Sequence, residues 1–151
     1  MKRLFCIIAL LCGCLGLAAQ QDLNDKADNI VGTYSGKHGD DNFKVRIVKL
    51  MDGTYQGQVI WMERDRDAKG NKLLDTKNPD KSLRSKPADH VVLFSGLKYD
   101  AKKRCWGDTK MYDPLHGIKV HMTAKFTPDG LLKIRGSVLG IGESVCWKKV
   151  D

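Results

Sequence analysis

Several kinds of chemistry lack their residues here. Of five cysteines, Cys6, Cys12 and Cys14 fall within the first 20 residues, leaving Cys105 and Cys146. There is no Cys-x-x-Cys and no histidine near either remaining cysteine in sequence, which argues against a thiolate metal site. His116 and His121 are five apart and so fall on opposite faces of a strand. No serine sits in a Gly-x-Ser-x-Gly setting, so no nucleophile elbow is visible. Basic residues are spread along the chain rather than interleaved with aromatics, which argues against nucleic acid as a partner. No apolar run reaches the roughly 20 residues a spanning helix needs. No stretch holds a helical period over three turns.

What is present begins with an export signal. In the 151-residue chain, Lys2 and Arg3 precede an apolar stretch over 4–17, and small residues around Ala18 and Ala19 supply a cleavage site. Residues 1–20 therefore read as a signal peptide, 21–29 as a polar lead segment and 30–151 as one domain. The alternative is a lipid anchor at Cys14, within Leu11-Cys-Gly-Cys14. The expected location is periplasmic or secreted. The formal charge of +8, less the two charges of Lys2 and Arg3, leaves +6 on the processed chain. In an oxidising compartment Cys105 and Cys146 can pair or remain free thiols, and the sequence leaves both open.

From residue 30 the chain reads as strand after strand: 30–37, 42–50, 55–62, 91–99, 104–112, 118–126, 131–139 and 143–150. Phe43, Val45 and Ile47 alternate with Lys44 and Arg46, the period of a half-buried strand. Asp52-Gly53 and Asp129-Gly130 mark hairpin turns. Pro114 and Gly117 shape another within Tyr112-Asp-Pro-Leu-His-Gly117. Eight antiparallel strands joined by short turns predict an all-β, up-and-down barrel, with a two-sheet sandwich as the alternative. Such a barrel fills its interior with side chains or holds one small ligand. The exception to short connections is the highly charged stretch 63–90. Asn78 caps a predicted short helix there, with Pro79 in its first turn and Lys86-Pro87 at its end. This stretch is expected to be a flap that covers and closes one end of the barrel.

Asn78-Pro-Asp80, Leu83-Arg84, Lys86-Pro87, Trp106, Tyr112-Asp-Pro114, Gly117, Leu132-Lys-Ile-Arg-Gly136 and Trp147-Lys148 occur in that order. The pattern resembles the exported bacterial family called domain of unknown function 2147, from Gly32 to Val150. Ile118, Val120, Lys86 and Lys148 depart from the family's usual residues. The resemblance implies a lipocalin-like (calycin) barrel. It also implies a Gly-x-aromatic opening, here Gly32-Thr-Tyr34, packed under a late cation, Lys148 or Lys149.

The expected function is binding of a small apolar or amphipathic ligand at the flap end. Candidate ligand-binding residues are Asn78, Asp80, Arg84, Trp106, Tyr112 and Asp113. A structural account competes with that role: Asp80 caps the flap helix and Arg84 pairs with a carboxylate that pins the flap. No catalytic set, metal or cofactor is indicated; an enzyme would need Tyr112, Asp113 and Arg84 to converge in one cleft. The alternative is an envelope scaffold whose basic surface meets an anionic envelope component.

Overall fold

The computed structural model describes residues 20–151. The signal-peptide and Cys14 readings fall outside the described residues. Eight strands form in chain order: β1 (Gly32–His38), β2 (Asp41–Lys49), β3 (Tyr55–Met62), β4 (Val92–Asp100), β5 (Cys105–Asp113), β6 (Ile118–Phe126), β7 (Leu132–Val138) and β8 (Ile141–Lys149). Each strand is antiparallel to its neighbours, and β8 pairs with β1 to close the barrel. The sandwich alternative is thereby excluded.

Register fixes which side chains point inward. Val45, Ile47, Leu97, Met122, Leu132 and Ile134 are almost wholly buried, while Lys125, Lys133 and Arg135, one residue out of phase, are exposed. Burying each of these aliphatic side chains contributes about 1.5–3 kcal/mol relative to leaving it in water. Closure is thin at the seam: β1 and β8 share only Tyr34–Lys149 and Ser35–Lys148. Lys149 Nζ lies 5.9 Å from the Tyr34 ring centre and donates to the Val31 carbonyl at 2.6 Å. That contact is the aromatic–cation packing implied by the resemblance, with Lys149 rather than Lys148 supplying the charge.

The lead segment plugs one end. It bends through a 3-10 turn, Ala27–Ile30, which puts Ile30 wholly out of solvent. Trp106 Nε1 donates to the Ala27 carbonyl at 3.0 Å. Asn24 is buried and bonds the Phe126 backbone at both its carbonyl and its N–H (2.9 and 2.7 Å). Tyr99 Oη donates to the Asn24 carbonyl at 2.6 Å. These bonds satisfy strand-end and loop groups that would otherwise be buried without partners.

Cys105 and Cys146 are free thiols. Extending the registers places them on one outer row, Cys105–Lys125–Lys133–Cys146, with β6 and β7 between them. Three strand spacings come to about 14 Å, twice the reach of a disulfide. Of the two states the sequence leaves open, this separation fits two free thiols.

Candidate functional site

The flap, residues 63–90, leaves β3 at the end opposite the plug and returns to β4. Short bridges at Arg66–Lys72 and Leu74–Pro87 stiffen it. Its predicted helix shrinks to a 3-10 turn, Lys81–Leu83. The cap is Asp80, which accepts from Ser82 N at 2.9 Å and Ser82 Oγ at 2.7 Å. Asn78, predicted as the cap, instead accepts from Asp80 N at 2.9 Å, an Asx turn that starts the bend. Between Pro79 and Pro87 only Leu83 is apolar, too little surface for a longer helix to bury.

Asp75 is the flap's anchor. It is 4% exposed, and its two carboxylate oxygens accept from Tyr112 Oη and Asn78 Nδ2, each at 2.6 Å. Burial, then the bond to Asp75, drives the Tyr112 phenol well above its ordinary value. Arg84 does not pair with a carboxylate: its Nε donates to the Asn78 carbonyl at 2.7 Å. Lys77 Nζ reaches the Leu115 carbonyl at 2.6 Å. Gly117, at φ +66°, lets the Lys77 carbonyl approach the β5–β6 turn.

Asp113 shapes that same turn. Burial raises its pKa, but the bonds from His116 Nδ1 (2.6 Å) and Leu115 N (2.9 Å) outweigh burial and hold it below the ordinary carboxylate value. Of the six candidates, Asn78, Asp80, Arg84, Tyr112 and Asp113 therefore gather at the flap end. Trp106 does not. It is wholly buried at the plugged end, against Tyr99 and Phe126.

The flap does not close its end. It is pinned on the β4–β6 side, because Tyr112 pairs with outward-facing Lys119 and so leans out of the barrel. Toward β7 and β8, Val138, Ile141 and Val145 are exposed (50%, 84% and 44%). Register turns all three inward, since Val145 lies opposite buried Ile134 and Val138 opposite Ile141. The expected closing flap is corrected to a one-sided cover.

On the flap side lies a groove of about 510 Å³ lined by Leu83, Val92, Phe94, Thr109, Lys110, Tyr112 and Lys119, among others. It forms because β4–β5 pairing stops at Lys98–Gly107. Beyond that pair the strands are joined by side chains, Lys98 Nζ to Asp108 Oδ2 at 2.7 Å and Thr109 Oγ1 to the Ser95 carbonyl at 2.6 Å. Leu83 supplies the flap's share of the apolar lining. Sequence reasoning missed Leu83, Val92, Phe94, Lys110 and Lys119; a lone leucine in the polar run 80–86 was the available signal for Leu83. Among the described residues no group of three metal-ligating side chains converges, and no helix is long and apolar enough to cross a membrane.

The family model described as Uncharacterized protein conserved in bacteria (DUF2147) matches residues 32–149. No curated protein matches the chain. Among solved structures, the chain is similar to protein HP1028 from Helicobacter pylori, described as belonging to the lipocalin family. The TM-score is 0.64 and the identity 23%, over 80% of this chain and 82% of that one. That likeness speaks for the fold: an eight-stranded, closed, lipocalin-like barrel.

Proposed function

Because this chain belongs to the DUF2147 family of uncharacterized bacterial proteins, we propose its function from its own geometry: it binds one small amphipathic ligand in the groove beneath the flap. The carrying observation is the groove itself. Its volume of about 510 Å³ lies in the range of small-molecule sites, about 300–1,000 Å³. Leu83 and Val92, both exposed, offer an apolar bed, and Lys110 and Lys119 line the same groove. An acyl or aromatic body with one anionic head fits that division: the body gains from leaving water and the head meets two cations. The proposal includes a site of action outside the cytoplasm, periplasmic or secreted, because residues 1–20 have the form of an export signal.

Titration with a dansyl-labelled fatty acid tests the reading. Saturable binding is expected, abolished by Val92→Trp, which fills the groove, and weakened about tenfold by Lys110→Glu with Lys119→Glu. Unchanged affinity in a folded Val92→Trp chain overturns it.

A further inference from the structure

The β7–β8 hairpin ends in a turn whose residues suit neither its backbone nor its solvent. Leu139 and Gly140 both have positive φ, 51° and 83°. This two-residue geometry favours Asn-Gly or Asp-Gly, and leucine is strained in it. Leu139 is also 96% exposed, so no packing offsets the strain. Exposed Val138 and Ile141 flank it, and exposed Leu115 and Ile118 lie on the next hairpin tip along the rim. A strained, exposed leucine at the centre of such a rim points to a role outside the fold.

The charge on the outer faces of β6, β7 and β8 is one-sided. Outward positions on β6, β7 and β8 include Lys125, Lys133, Arg135 and Lys148, and none has an acidic partner within 4.0 Å among the described residues. The three strands hold one carboxylate, Glu143, and register turns it inward, opposite Gly136. Arg135 reaches toward the turn, Nη2 lying 3.4 Å from the Gly140 carbonyl. Lys125, Lys133 and Arg135 also line a depression of about 280 Å³ on the outer wall.

We infer that the outer wall of the β7–β8 hairpin docks on an anionic lipid bilayer, with Leu139 at its tip entering the acyl boundary and Arg135 near the tip, then Lys133, Lys125 and Lys148 further along the wall toward the plug, meeting lipid phosphates. An apolar tip at the end of a wall of unpaired cations combines the two attractions that hold peripheral proteins to acidic membranes. An acidic polymer would use the cations and leave the leucine unexplained; a second copy of the chain would present the same positive charge. This docking gives the basic surface a place and a partner, and it does not depend on an occupied groove.

The test is co-sedimentation of residues 20–151, which contain all eight strands, the plug and the flap. The vesicles are phosphatidylcholine alone or phosphatidylcholine with a third phosphatidylglycerol. Binding is expected to the anionic vesicles, at least tenfold weaker to the neutral ones, and weakened by salt. Lys133→Glu with Arg135→Glu should cost about fivefold or more per residue. Leu139→Asp should abolish binding while leaving the circular dichroism spectrum native, and Leu139→Asn should do so while relieving the turn. Val92→Trp should bind vesicles as the parent does, which separates this docking from the groove. Vesicle binding indifferent to Leu139→Asp overturns the inference. Retention on heparin but not on vesicles overturns it in favour of an acidic polymer. A dimer that Leu139→Asp converts to a monomer without lipid overturns it in favour of self-association.

Discussion

The Tyr112 hydroxyl donates to Asp75 Oδ1 at 2.6 Å, joining β5 to the flap across 37 positions of sequence. Both residues are buried, and Asn78 holds the second carboxylate oxygen. A buried carboxylate is tolerated because each oxygen has a donor. The same bond places Leu83 over the groove, since the flap's turn at 81–83 follows directly from Asn78. Fold stability and groove shape therefore share one hydrogen bond.

Tyr112→Phe keeps the ring's packing and removes that donor. Asp75 Oδ1 is left buried without a partner, which costs about 1–3 kcal/mol. The loss should concentrate in the flap, because the barrel core does not depend on it. Expected are a lower urea midpoint and faster tryptic cleavage after Lys81 and Arg84. Cleavage at the parent's rate would show that the bond does not hold the flap down.

Gly117→Ala tests the second contact between flap and hairpin. A Cβ there would lie 2.3 Å from the Lys77 carbonyl, a backbone atom, and the position already has φ +66°. Left-handed backbone alone costs a non-glycine residue about 1–2 kcal/mol, and the clash forces the flap to shift as well. A lower melting temperature is expected, by more than for Gly39→Ala. Gly39 has φ +57° with nothing within 4 Å of its Cβ position, so the difference between the two variants isolates the flap contact.

All eight strands were legible in the sequence to within about two residues, because alternation such as Phe43-Lys44-Val45-Arg46-Ile47 reads directly as one buried face. The flap-end gathering of Asn78, Asp80, Arg84, Tyr112 and Asp113 was legible as a cluster, but its bonding was not. Whether Arg84 takes a carboxylate or a carbonyl is decided by a few ångströms of loop path that no periodicity encodes. The plug was missed because 21–29 is polar, and its anchors, Asn24 and the Ala27 carbonyl, work by hydrogen bonding rather than apolar pattern. Trp106 was placed at the wrong end because nothing in its strand's alternation says which end a given inward residue approaches. The groove depends on where β4–β5 pairing stops, a long-range property of the twisted sheet.

Lys72 bridges Asp65 and Asp89, joining the two arms of the flap with contacts to Asp89 of 2.6 Å. The bond from Lys72 lowers both carboxylates below the ordinary 3.8, and their bonds in turn raise Lys72 above its ordinary 10.5. The carboxylates bind protons less readily folded than unfolded. Their stabilisation is therefore complete above 3.8 and is lost as pH falls through the folded values. Lys72 binds its proton more tightly when folded, so its share is complete below 10.5 and lost as pH rises through its folded value. The network should give a plateau bounded on both sides. Lys72→Met should lower the urea midpoint on the plateau and flatten both limbs. Because these side chains are partly exposed, high salt should shrink the difference between the two proteins. Urea midpoints at acid, neutral and alkaline pH, with and without salt, check each sign separately. A variant whose acid limb stays as steep as the parent's would assign acid sensitivity to other depressed carboxylates, such as Asp28 beneath Tyr55 and Lys49.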